Sequence, residues 1–145
     1  MSIKSWTRSS YSFGSEAGLS TDFRAFAVTY DLVESPESEL FPDTCNIQSV
    51  EFEFTTKGDA TTVTMFLARD SNGSAGVTPG GTTGATGTLV EGLVSGKASV
   101  SFLVDADYHF DSSVANTSTG TLYVIAKVDD AGSNPVANIR VNWRG

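Results

Sequence analysis

The chain has 145 residues, of which 39% are hydrophobic, and a formal net charge of −8 at pH 7. A chain of this length removes roughly two-thirds of its unfolded surface from water, so its fold needs neither disulfides nor a metal. The acidic balance opposes binding to a nucleic-acid backbone, because Lys and Arg must replace counterions there, so we expect no nucleic-acid partner.

The N-terminal residues 1–6 lack both the apolar run and the small-residue cleavage site of a secretion signal. No stretch approaches the roughly 20 apolar residues of a membrane helix. We therefore expect a cytoplasmically made, soluble protein with no membrane partner. Cys45 is the one cysteine, which excludes an intrachain disulfide and a cysteine-based zinc site. We expect it to be a small buried residue.

The first third of the chain mixes strand signals with polar segments. Residues 3–8 form a short strand candidate, and residues 24–33 alternate larger apolar side chains with small ones, which is typical of a strand. Residues 9–21 are rich in Ser and Gly and are not strand-like, so residues 1–21 are predicted to form an arm without a strand in 9–21. Residues 34–43 are acidic, contain two prolines and predict an exposed loop.

Two central segments alternate with period two. Val50, Phe52 and Phe54 alternate with polar residues, which predicts a strand with one dry and one wet face. A second strand carries Val63, Met65 and Leu67. Gly58 lies between them in Lys-Gly-Asp-Ala, and this turn predicts a hairpin. Residues 70–87, almost wholly small and polar, predict a long loop, with residues 80–87 as flexible spacer.

The C-terminal half continues the alternation. Residues 88–93 form a short strand candidate, and residues 99–104 place Val100, Phe102 and Val104 on the face opposite Ser99, Ser101 and Leu103. Residues 122–128 and 139–143 are strong strands joined by a turn-rich connection, which predicts a closing hairpin, with Trp143 sealing one end of the core.

These signals predict a single all-β domain over residues 1–145, a sandwich or jelly roll of about seven or eight antiparallel strands. The residues predicted to form its core are Phe52, Phe54, Val63, Met65, Leu67, Val100, Phe102, Val104, Leu122, Val124, Val128, Ile139 and Val141.

The templates of enzyme sites do not fit. His109 is the only histidine, and the Gly-rich segment lacks a following Gly-Lys-Ser/Thr, so we expect no enzyme and no cofactor. Asp105, Asp107 and Asp111 are weak candidates for a calcium site, which needs several carboxylates. Their alternative interpretation is a solvated strand exit. The aromatic candidates for a sugar-binding platform, whose alternative role is core packing, are Trp6, Tyr11, Tyr30, Tyr108, Tyr123 and Trp143.

The ending Gly120-Thr-Leu-Tyr-Val-Ile-Ala-Lys-Val-Asp-Asp-Ala-Gly, followed by Asn138-Ile-Arg-Val-Asn-Trp-Arg, and the long Gly/Thr loops of an acidic chain resemble small β-sandwich proteins of tailed-phage virions. The resemblance implies a non-catalytic capsid decoration or cement protein, or a neck or tail accessory protein. Its partners would be the major capsid protein or another virion protein, and other copies of itself. It would be located in the virion, which is assembled in the host cytoplasm.

Segments that order on capture by a neighbour can wrap large surfaces, so the arm and the long loop are predicted to carry the attachment. The residues expected to bind a partner are Ile3, Trp6, Tyr11, Phe13, Gly80, Thr82 and Thr83. The alternative function is a carbohydrate- or receptor-binding module associated with a tail or fibre.

Overall fold

A computed structural model of the chain describes residues 8–12, 17–27, 44–93, 97–109 and 122–144. In chain order the strands of the described residues are β1 (Arg8–Ser12), β2 (Ala17–Gly18), β3 (Arg24–Ala27), β4 (Thr44–Thr56), β5 (Thr62–Ala68), β6 (Gly76–Thr78), β7 (Ala85–Thr88), β8 (Val90–Glu91), β9 (Ala98–His109), β10 (Tyr123–Val128) and β11 (Val136–Arg144).

The strands form two antiparallel sheets that pack against each other as a sandwich. The six-stranded sheet has the order β1-β11-β4-β9-β8, with β2 also paired to β11. The five-stranded sheet has the order β3-β10-β5-β6, with β7 also paired to β5. The predicted all-β sandwich is confirmed. The eleven described strands outnumber the predicted seven or eight because the short strands β2, β6 and β7 were not predicted. No helix in the described ranges is long and apolar enough to cross a membrane.

The core lies between the sheets and consists of the residues that alternate inward. Phe52 of β4 is fully buried, pairs with Ile139 and Val100 on its two sides, and meets the ring of Phe102 edge to face, with centroids 5.9 Å apart. Every predicted core residue is buried except Val104, which packs against the core but is only partly buried. Trp143 also packs there, partly buried.

Both predicted hairpins are wrong, because each turn carries the chain from one sheet to the other. β4 lies in the six-stranded sheet and β5 in the five-stranded sheet, and β10 and β11 are divided in the same way. The two turns lie side by side, with the Asp59 N–H donating to the Gly132 carbonyl at 2.9 Å. Gly58 has φ +59°, and a Cβ there would lie 2.5 Å from that carbonyl oxygen. A turn signal shows that the chain reverses, not which sheet receives the next strand.

Asp129 links the end of β10 to the start of β5. The Thr61 and Thr62 N–H groups donate to its Oδ1 at 2.8 and 3.0 Å, and the Thr61 hydroxyl donates to Oδ2. Desolvation raises the pKa of this carboxyl, but the hydrogen bonds outweigh it and lower the pKa to about 2. This carboxylate therefore joins two neighbouring strand ends in its charged form.

The expectation that residues 9–21 contain no strand is also wrong. Arg8–Ser12 forms β1 on the edge of β11, with Tyr11 opposite Val141, and Ala17–Gly18 forms β2. Backbone pairing to an existing strand requires no apolar pattern in the added segment, which explains why composition missed both strands. The strand predicted at 24–33 is described only as far as Ala27, and residues 3–7 and 34–43 lie outside the described residues.

The interpretation of residues 70–87 as one long loop is wrong in part. β6 and β7 both pair with β5, and Gly87 is no flexible spacer. A Cβ at Gly87 would lie 2.7 Å from Val100 Cγ2 and 3.1 Å from Phe102 Cζ of the opposite sheet. Glycine therefore allows the two sheets to approach closely at this point, a packing role that composition alone cannot distinguish from flexibility.

Candidate interaction surface

The outer face of the six-stranded sheet is a broad polar surface crossed by rows of paired residues. Cross-strand neighbours in an antiparallel sheet face the same side, so the register fixes which side chains lie together. From β9 through β4 to β11, the rows are Ser99, Glu53 and Asn138; Ser101, Glu51 and Arg140; and Leu103, Ser49 and Asn142.

Glu51 is held in place by its neighbours on this face. The Asn142 side-chain amide donates to Glu51 Oε2 at 2.6 Å and to Ser49 Oγ at 2.9 Å, and Asn142 is only 7% exposed. Arg140 Nη1 lies 4.0 Å from Glu51 Oε1. Because two neighbours already engage this carboxylate, we interpret Glu51 as a residue that organises the surface.

Glu53 differs, since no described residue gives its carboxylate a hydrogen bond or an ion pair. It borders two adjoining depressions. One, of about 170 Å³, is lined by Glu51, Ser99, Ser101, Asn138 and Arg140 together with the core residues Phe52 and Val100. The second, of about 190 Å³, is lined by Gly92, Leu93, Lys97, Ala98 and Ser99. Glu53 and Ser99 line both depressions. They therefore connect the first depression, which is mainly polar, with the second, which includes the aliphatic side chain of Leu93.

Large aliphatic side chains are exposed along the β8–β9 margin of this face. Leu103 is 80% exposed and Val90 67% exposed, and Leu93 is fully exposed just after β8. Val90 pairs with Ser99 and so extends the first row of the face. Exposed apolar groups along one margin of a sheet indicate a surface that another molecule can cover.

The carboxylate candidates lie at the far end of β9. Asp105 has φ +46° beside an irregularity in the β4–β9 pairing. The Asn46 amide donates to Asp107 Oδ1 at 3.2 Å and lies 3.5 Å from Asp105 Oδ1. Asp111 lies outside the described residues, and the described part of the chain holds no group of three His, Cys, Asp or Glu side chains suited to a metal ion.

The backbone places Cys45 opposite Tyr108, next to the pair of Thr44 and His109.

Of the residues predicted to bind a partner, the three whose side-chain surroundings are described do not lie on this face. Gly80, Thr82 and Thr83 are exposed at the tip of the β6–β7 connection, on the edge of the other sheet, where Thr83 donates both N–H and hydroxyl to the Gly80 carbonyl. Ile3, Trp6 and Phe13 lie outside the described residues, and only the backbone of Tyr11 is described.

The predicted aromatic platform is not formed by the aromatic side chains that the structure describes. Tyr123 is only 4% exposed and Trp143 packs against the core, so both serve the packing role that was the alternative. Trp6 and Tyr30 lie outside the described residues, and of Tyr108, as of Tyr11, only the backbone is described.

Sequence reasoning missed Leu103, Val90, Leu93 and Glu53 as surface residues of interest. A signal was present for Leu103, because the alternation already placed it on the same face as two serines, where a leucine has no folding role. No family model matches the chain, and no curated protein matches it. The surface is therefore interpreted from its own residues.

Proposed function

We propose that the protein is a non-catalytic structural component that attaches to other proteins through the outer face of its six-stranded sheet. Within that class, we propose the role that the sequence resemblance implies, a phage virion protein that decorates or cements the capsid shell. The observation that carries the proposal is Leu103, 80% exposed in the middle of β9 on a face otherwise built from Ser, Glu, Asn and Arg.

The energetics favour a contact at this position. Burying a leucine side chain in a contact contributes roughly 1.5–3 kcal/mol to binding. A leucine that stays exposed in an isolated copy contributes nothing to folding. The surrounding polar residues resemble the rim of a protein interface, which is hydrated and surrounds a smaller apolar centre. The chain's net charge of −8 favours a partner surface of the opposite sign.

This proposal moves the attachment from the long loop to the sheet. Because Gly87 packs against Val100 and Phe102, the segment 70–87 contributes to the core and does not act as a free arm. Shortening it would disturb folding as well as attachment. The face around Leu103 can be changed without touching the core, so it gives the cleaner test.

The test is the mass of the protein in solution, alone and mixed with candidate capsid particles. We expect Leu103→Ser to reduce the amount that sediments with particles while the thermal transition stays unchanged. Thr82→Asp is the control, since Thr82 is also exposed but lies at the loop tip of the other sheet.

If Thr82→Asp reduces the amount that sediments with particles and Leu103→Ser does not, the loop carries the attachment and the sheet does not. A wild-type protein that ignores particles and binds a glycan tightly would contradict the virion proposal and support the carbohydrate- or receptor-binding alternative.

A further inference from the structure

We propose that the surface around Leu93 is a self-complementary contact that binds the same surface of a second copy of this chain. We call it the Leu93 patch and define it by Glu53, Leu93, Lys97 and Ser99. The proposal rests on the proposed function, because it names the site through which neighbouring copies on an assembled particle would touch.

The patch lies where β8 ends and β9 begins. The Gly92 N–H donates to the Lys97 carbonyl at 2.9 Å, which holds the residue after β8 beside the residue before β9. Leu93 follows Gly92 and is fully exposed, and Lys97 precedes β9. Glu53 reaches the same depression from β4, where it pairs with Ser99. One aliphatic side chain therefore lies in a shallow depression with one carboxylate and one ammonium group.

The charges of the patch are opposite, and no described residue pairs with either of them. Glu53 and Lys97 line one depression, yet neither has an ion-pair partner within 4.0 Å among the described residues. Glu51 next to it shows the contrast, since it is already engaged by Asn142 and Arg140. Among the described residues, the Leu93 patch thus presents an unpaired negative group, an unpaired positive group and an apolar centre.

A two-fold arrangement uses all three groups. In an isologous contact, residue i of one copy meets residue j of the other, and j meets i. With Leu93 near the axis, Glu53 of each copy faces Lys97 of the second copy, so two ion pairs flank one leucine contact. The patch is locally neutral on a chain whose net charge is −8, so two copies meet there with the least repulsion.

The experiment is analytical ultracentrifugation of the full chain over a concentration series to about 1 mM, because contacts of this size give weak association. Wild type should shift from monomer to dimer within the series. Glu53→Lys and Lys97→Glu should each raise the dissociation constant by roughly tenfold, because each replaces two attractions with two repulsions.

The decisive sample mixes the two variants. A Glu53→Lys copy carries two cations and a Lys97→Glu copy two carboxylates, so the mixed pair restores both ion pairs, and its dissociation constant should return to within roughly threefold of wild type. Recovery on mixing cannot come from an effect inside one chain. Glu91→Lys is the control, with the same charge change on the exposed residue that pairs with Ala98, and it should dimerise like wild type.

A wild type that stays monomeric throughout, variants that associate alike, or a mixture that fails to recover would overturn the proposal. Its failure is separable from that of the proposed function. A protein that stays monomeric but binds capsid particles would contradict the Leu93 contact and support the proposed function. A protein that dimerises but binds no particle would support the Leu93 contact and contradict the proposed function.

Discussion

Gly87→Ala should destabilise the protein even though alanine is the better residue in most strands. The backbone at Gly87 has an ordinary negative φ, so an alanine there meets no backbone strain. Its Cβ would, however, lie 2.7 Å from Val100 Cγ2 and 3.1–3.2 Å from two ring atoms of Phe102. Neither neighbour can move away freely, since both are buried between the sheets.

The expected magnitude follows from two opposing effects. Inserting a methyl group into a packed core costs about 1–3 kcal/mol. Replacing glycine also reduces the entropy of the unfolded chain, which returns about 0.4–1 kcal/mol. We expect a net loss of about 1–2 kcal/mol in the free energy of unfolding, and a fall of roughly 3–7 °C in Tm for a chain of this size.

Urea denaturation followed by tryptophan fluorescence measures this change. The control is Gly92→Ala, where a Cβ would meet only the Lys97 carbonyl oxygen at 3.8 Å, so stability should be unchanged or slightly higher. Gly87→Ala should cost less in a Val100→Ala background than in wild type, because Val100→Ala removes the Cγ2 atom that the new methyl group would meet. A Gly87→Ala variant as stable as wild type would refute the close approach of β7 to β9.

Three further substitutions test the two faces of β9 and the link between β10 and β5. Phe102→Ala should cost ~3–5 kcal/mol and Leu103→Ala close to nothing, and the reverse order in denaturation curves would show that β9 is inverted. The lowered pKa of Asp129, about 2 against 3.8, stabilises the fold above pH 3.8, and this stabilisation is lost as the pH falls through 2. Asp129→Asn should therefore lower the free energy of unfolding at neutral pH by about 1 kcal/mol or less, a figure reduced because the carboxylate is exposed. The free energy of unfolding of this variant should also fall less steeply than that of wild type between pH 3.8 and 2. An unchanged acid profile would contradict the contacts with Thr61 and Thr62.

The alternation of apolar and polar residues was sufficient to predict the fold class and most of the core. Phe52 and Phe54 alternate with glutamates, and the structure buries both rings completely while leaving the glutamates on the outer face. Period two is a local property of a strand, so it survives without knowledge of the partner strand. Val104 is the exception, because it lies beside the irregular pairing near Asp105, where the strict alternation ends.

The connections were not predictable in the same way. Gly58 and Gly132 gave correct turn signals, but each turn passes from one sheet to the other. A strand with one apolar face satisfies that face equally well in either sheet, so the local sequence contains no information on the choice. Gly87 illustrates the same limit, since its role depends on Val100 and Phe102, which are distant in the sequence.

The same limit applies to the candidate surface, as Phe66 and Leu103 demonstrate. Each is a large apolar residue at an outward position of a strand whose neighbours alternate inward. Phe66 is nevertheless only 3% exposed, because it clusters with Tyr123 and Ile125, and Gly73 of the β5–β6 connection lies so close that a Cβ there would be 2.9 Å from its ring. Leu103 has no such cover among the described residues and is 80% exposed. The sequence pattern identifies both residues as outward, but only the topology determines which of them remains free to meet a partner.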